Sequence, residues 1–351
     1  MKSVTGVLTL ISACWLLLVV GGCEPPAQKP LPFDPSTEPP PLKPRRALTG
    51  DPQSEARQIL LEGLADIDPR VRANAVEVIA TAREVRLLPK IQRMLHDPAV
   101  QVRFLAALAI GDLRYALGEE EVTTLLNDPD ANVRMAAAYA LTQLGQDEYF
   151  PSLRDGIASK DPIVRANAAL LLGKSGRQEA LPLLYWTLQQ GDSTDRVLLQ
   201  AVESIAMLGD TRIYRKVWTR LISAYADDRM IGVSAMGALG TQEAQNALVT
   251  MLDDPVIEVR LAAAEQLGKL GNISGAARVQ EVFDGVFLAQ MDPQSASRIK
   301  VLAALAIGEI GLPGLARHLP ELLQDPSQTV RLAAAKAILR TSTAAAPAES
   351  G

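Results

Sequence analysis

The chain has 351 residues, with 35 basic and 40 acidic side chains and a formal net charge of −5. An acidic chain without a basic block argues against nucleic acid as a partner. With two histidines and two cysteines it is also poor in metal ligands and nucleophiles, so we expect no metal, no cofactor and no enzymatic activity.

The chain opens Met1-Lys2, runs apolar from Val7 to Val20, and reaches Gly21-Gly22-Cys23. Fourteen apolar residues fall short of the ~20 needed to span a bilayer, but match a signal-peptide core. Small residues immediately before a cysteine resemble a bacterial lipobox, which implies cleavage before Cys23 and a lipid on that residue. Residues 1–22 are therefore expected to be a lipoprotein signal peptide. The mature chain would retain 34 basic against 40 acidic residues, and a single cysteine with no disulfide partner. Nine prolines lie between Glu24 and Arg46, a density that favours extended polyproline conformation. Residues 23–50 thus read as a tether, reaching about 75 Å at ~3.1 Å per residue. Glu24 after the cysteine is not the aspartate typical of inner-membrane retention, so an outer-membrane site facing the periplasm is expected.

From Asp51 onward one phrase returns nine times, as in Val102-Arg103, Val133-Arg134, Val164-Arg165, Val259-Arg260 and Val330-Arg331. The arginine register falls at residues 72, 103, 134, 165, 198, 229, 260, 300 and 331, with Leu198 and Lys300 as the two departures. A period near thirty marks a solenoid, in which each unit buries its apolar face only against its neighbours. Apolar residues one before, three after and seven after the register form one stripe on a helix, for example Val133, Ala137 and Leu141. Eleven after the register stands a glycine in six repeats (Gly145, Gly176, Gly209, Gly240, Gly271 and Gly311), as expected of a C-terminal cap. An Asp-Pro pair precedes most of these helices, at Asp68, Asp97, Asp128, Asp161, Asp254 and Asp325, and reads as a helix start. Before the turn lies another apolar segment, with a proline near its beginning at Pro89, Pro151, Pro182 and Pro320. Each unit is therefore helix, turn, helix, and no strands are expected. Asp227-Asp228 and Asp253-Asp254 are paired carboxylates at inter-helix turns, where capping explains them.

The Asp-Pro turn, Val-Arg and alanine pair, repeated in register, resemble the HEAT repeat in the short variety of phycobilisome-lyase-type proteins. The resemblance covers about residues 52–341. It implies an all-α, right-handed α-solenoid of about nine repeats over residues 51–342, followed by a disordered tail at 343–351. It also implies a ladder between turn aspartates and register arginines: Asp97 with Arg103, Asp128 with Arg134, Asp161 with Arg165, Asp254 with Arg260 and Asp325 with Arg331. Ladder regularity is in doubt at repeats five and eight, where arginine is replaced.

A curved array offers a long concave surface, so the expected function is a lipid-anchored envelope scaffold that binds protein partners without catalysis. The alternative is a HEAT-like lyase-type enzyme acting on a chromophore-bearing protein. Five residues past the register, the row opposite the buried stripe is apolar in repeats two to four, at Leu108, Tyr139 and Leu170. With Phe104 and Met135 one turn away, these residues form the expected protein-binding strip inside the curve. A rival group, Tyr185, Trp186, Tyr214 and Trp218, lies on consecutive first helices.

Overall fold

The structure is a computed structural model that describes residues 50–284 and 287–344. Cys23, the signal segment, the tether and residues 345–351 lie outside the described residues.

The described residues form nine helical pairs and no strand. The second helices are Pro69–Thr81, Val100–Asp112, Ala131–Gln143, Pro162–Lys174, Asp195–Met207, Ala226–Leu239, Ile257–Lys269, Pro293–Ile310 and Gln328–Ala344. The first helix Pro52–Leu64 equals its partner at 13 residues, and the later first helices are shorter, ending in the broken pair Pro313–Ala316 and Leu319–Leu322 of repeat nine. Pro89, Pro151, Pro182 and Pro320 sit in the opening turn of their helices, where a missing N–H costs little. Each of the six glycines eleven past the register adopts positive φ, from 63° to 102°, and ends its helix there. The last helix runs to Ala344, slightly beyond the expected start of the tail.

Second helices pack closely on one another while first helices splay apart, so the second helices line the inside of the curve. Their backbones approach to near contact at a column of glycines eight past the register. A Cβ on Gly111 would lie 2.8 Å from Ala140 Cα, one on Gly173 2.8 Å from Ser204 Cα, and one on Gly308 2.7 Å from Ala337 Cα. The curvature carries the array round until its ends meet. The last inner helix packs against both helices of repeat one, and a Cβ on Gly63 would stand 3.3 Å from Leu332 Cδ2 across that seam. The solenoid is therefore closed, where the repeat pattern suggested an open arc.

The opposite edge is held by the aspartate–arginine ladder, whose pairing differs from the expectation. Arg103 donates through Nη1 to the backbone oxygen of Asp97 (2.8 Å) in its own turn, and through Nε to the Asp128 carboxylate (2.8 Å) of the next. Arg72 reaches Asp97 (2.7 Å) and Arg229 reaches Asp254 (2.6 Å) in the same way. Same-repeat carboxylate pairing is thus corrected: each side chain bridges forward by one repeat. The acceptor lies six before the register, and its carboxylate also takes a turn N–H, as Asp128 does from Asp130 N (2.9 Å). Burial opposes ionisation of Asp128, yet these hydrogen bonds, with Arg103's leading, hold its carboxyl below the usual range.

Asp161 is not a ladder residue. It stands four before the register, caps its helix by accepting from Ile163 N (2.8 Å), and leaves Ser159 in the acceptor position. Asp-Pro thus marks two different places, and only Pro69 and Pro162 of those six prolines begin a helix. Arg134, Arg260 and Arg331 keep the carbonyl half of the arrangement, on Asp128, Asp254 and Asp325. Before Leu198, Arg165 donates instead to the carbonyls of Ser159 (2.8 Å) and Asp192 (3.2 Å). In repeat eight Lys300 supplies the carboxylate half of the arrangement, 2.7 Å from Asp325, and the longer spacing is taken up by the preceding linker and an 18-residue inner helix.

Removing Arg103 strands a buried carboxylate, whereas removing Arg134 frees only carbonyls. Arg103→Ala should therefore cost about 3 kcal/mol and Arg134→Ala about 1 kcal/mol, read from urea unfolding. Equal costs would contradict the forward pairing. A closed body of this size should also scatter with a radius of gyration of about 19 Å once the tether is removed; a much larger value would mean the seam is open in solution.

Candidate functional site

Closure decides the fate of the expected binding strip. Phe104, Leu108, Met135, Tyr139 and Leu170 are all buried, so they offer no docking surface. The physical reason is the seam: the row five past the register faces the centre of a ring, not an open concavity. One side of that centre is apolar, with Leu108, Tyr139 and Leu170, while Leu305 stands alone between Glu265 and Lys336. The other side is polar. Ser234 donates to Glu203 (2.6 Å), Glu265 pairs with Lys269 (2.9 Å), and Glu77 and Lys336 complete the row.

Above this floor, where the inner helices end, opens a vestibule of about 880 Å³. Its wall is the row nine past the register: Thr81, Asp112, Gln143, Lys174, Lys269, Glu309 and Arg340. Tyr139 spans the floor and the wall, donating to Asp112 Oδ1 (2.6 Å), which also holds Lys174 (2.9 Å) from two repeats away. Burial, and then the Asp112 charge, push the Tyr139 phenol far above its ordinary value. Arg340 is paired with Glu309 across neighbouring helices. At the rim stand Arg83 and Arg114, eleven past the register, where six other repeats carry glycine. Both adopt positive φ, 54° and 49°, a conformation that costs a residue bearing a Cβ roughly 1 kcal/mol or more.

The sequence reading missed this site, although it left two signals. The column nine past the register is charged or polar in seven repeats, and two arginines interrupt the glycine column. Among the described residues, no three His, Cys, Asp or Glu side chains are grouped as a metal site requires. His318 is engaged elsewhere, stacked on Phe283 with ring centroids 4.1 Å apart. Asp253 and Asp254 separate into different roles, Asp253 pairing with Arg278 (2.6 Å) and Asp254 serving the ladder.

The rival aromatic group lies on the outside. Tyr214 and Trp218 stack with centroids 6.3 Å apart, and the Arg212 guanidinium lies 5.2 Å from the centre of the Tyr185 ring. Trp186 and Trp218 are partly exposed, and beyond them Ile222 (67%) and Tyr225 (75%) are largely open to solvent. Val249 continues the exposed apolar run on the next outer helix. The outer face of repeats five to seven therefore carries the exposed apolar surface, its aromatic residues lying in repeats five and six.

The description of HEAT repeats matches residues 88–165 and 150–230, and that of the single HEAT repeat matches residues 245–274. The described residues thus form an α-solenoid whose residues 88–230 and 245–274 match HEAT repeats. Solved structures it resembles include human deoxyhypusine hydroxylase in complex with glycerol, at 19% identity and a TM-score of 0.38 over 76% of this chain and 98% of that one. The complex of CpcE and CpcF of phycocyanin lyase from Nostoc matches at 18% identity and a TM-score of 0.41, over 72% and 94%. Importin beta matches at 17% identity and a TM-score of 0.34, over 81% of this chain and 46% of that one. No protein among curated sequences matches the chain. The expectation that the chain is not an enzyme is corrected here. The solved structures it resembles include a deoxyhypusine hydroxylase and a phycocyanin lyase.

Glu77 provides a pH test of the closed centre. Burial pushes its carboxyl from 4.5 up to about 8, while the Lys336 and Lys174 charges pull the other way. A carboxyl raised on folding contributes stability that is full below its unfolded value and lost as pH rises through its folded value. Glu77→Gln should therefore melt at nearly the wild-type temperature at pH 5 and progressively above it toward pH 9. A constant difference across that range would mean that Glu77 is solvated.

Proposed function

We propose that this protein is a lipid-tethered HEAT-repeat adaptor of the cell envelope that docks a protein partner on the outer face of repeats five to seven. The observation that carries the docking surface is the exposed apolar run of Trp186, Trp218, Ile222, Tyr225 and Val249. Large apolar side chains clustered on a surface favour association, and Trp and Tyr supply most contact area for least lost rotamer entropy. The tether reading rests on the lipobox-like Gly21-Gly22-Cys23 and the proline-rich stretch after it. Together they support a protein held by lipid at Cys23, in a proline-spaced position off an outer membrane, with its aromatic face presented sideways.

In-cell crosslinking tests both halves at once. The wild-type protein should incorporate radiolabelled palmitate, fractionate with membranes and capture a reproducible partner. Cys23→Ser should lose the label and the membrane fraction. Trp186→Ser combined with Trp218→Ser should stay on the membrane and fold, but capture the partner at least tenfold less. Undiminished capture by that double variant would move the docking surface elsewhere.

A further inference from the structure

We propose that the central vestibule binds a small polyanion, a molecule carrying phosphate or carboxylate groups, and that Arg83, Arg114 and Lys336 receive it. This site is independent of the outer docking face. Six cationic side chains line the space, Arg83, Arg114, Lys174, Lys269, Lys336 and Arg340, against the two lining carboxylates Asp112 and Glu309. That surplus belongs to a chain whose net charge is −5. At about 880 Å³ the space suits a ligand of nucleotide or polycarboxylate size.

Part of this charge has a structural explanation. Inner helices end at the vestibule, and cations in a last turn complement the partial negative charge of its free carbonyls. Lys174 and Lys269 occupy such places, Arg340 stands about a turn before its helix ends, and the three are paired with Asp112, Glu265 and Glu309. Lys336 has no such account. It lies four residues deeper along its helix, retains only 5% of its exposure, and among the described residues donates no hydrogen bond and makes no close ion pair. A buried ammonium whose hydrogen bonds are unmade is costly to fold around even with carboxylates nearby, and a ligand anion would offset that cost. Burial lowers its pKa, while Glu265, Glu77 and Glu309 oppose that shift.

The rim adds a second, separate observation. Glycine ends six inner helices at this position without strain, yet Arg83 and Arg114 are held there in the left-handed region. Among the described residues neither guanidinium has a hydrogen-bond or ion-pair partner that would offset the strain. Backbone strain of this kind concentrates at ligand sites. Two guanidinium forks at the mouth and one ammonium at the floor form a graded entry for an anion, with bidentate capture at the rim and a desolvated charge at the end.

The test uses the full-length protein, with pyrophosphate and citrate as probes in separate titrations at low ionic strength. At least one should bind saturably with one site per chain and raise the melting temperature. Pyrophosphate alone would assign the phosphate class, citrate alone the carboxylate class. Arg83→Gly combined with Arg114→Gly installs the residue found in the other repeats, so this variant should melt higher than wild type without ligand. It should nevertheless bind the probe at least tenfold more weakly. Lys336→Met should reduce the affinity by a similar factor and abolish the ligand-induced shift in melting temperature. The proposal is overturned if neither probe binds saturably, or if the folded glycine double variant binds as tightly as wild type.

Discussion

The close backbone approach of inner helices at Gly111, Gly173, Gly268 and Gly308 sets the shape on which everything else depends. With no Cβ in the way, the helix ends draw together at one edge while the Arg–Asp ladder fixes the spacing at the other. About 40° of turn per repeat is enough for nine repeats to complete a circle, and the curvature of a solenoid follows from this small repeated rotation. Closure then converts the concave side from a surface into an interior. It buries Leu108, Tyr139 and Leu170, moves exposed aromatic area to the outer helices, and gathers the polar helix ends around one vestibule.

The two edges of the ring differ in kind. At the ladder edge, charges are matched and satisfied: a buried carboxylate such as Asp128 receives a guanidinium and a backbone N–H. This is the arrangement in which a buried ion pair is retained without an orphaned group. At the vestibule edge the matching is incomplete, and Lys336 is buried without a hydrogen bond among the described residues. Folding alone explains the first edge. The second resembles a place where local rules are relaxed for a site, as the left-handed arginines also suggest.

How much of this was legible in the sequence depends on distance along the chain. The thirty-residue period, the apolar stripe and the glycine caps are local, and each follows from helix geometry within one repeat. The two registers of Asp-Pro were conflated because the dipeptide is identical at Asp97 and Asp161, and only its offset from the arginine separates acceptor from cap. The forward bridge of Arg103 to Asp128 spans 25 residues and follows from how repeats stack, which the content of one repeat does not show. Closure was harder still, since it sums nine small rotations and only the contact between Gly63 and Leu332 reveals the total. The apolar strip was read correctly as unusual for a solvated row. Its alternation was evidence of a filled centre, and the all-round apolar character of Val100–Asp112 pointed the same way.

The seam at Gly63 and Leu332 also bears on how such a chain evolves. An open array tolerates duplication or loss of a unit, because each repeat touches only its neighbours and the ends are free to shift. In a ring the last unit must arrive at the first with the right height and angle. A tenth repeat, or an eighth, would leave two apolar helix faces misaligned and a centre sized for the wrong circumference. Copy number is therefore locked by geometry, and variation is confined to substitutions within units and to insertions outside the inner helices, like the long linker before Pro293.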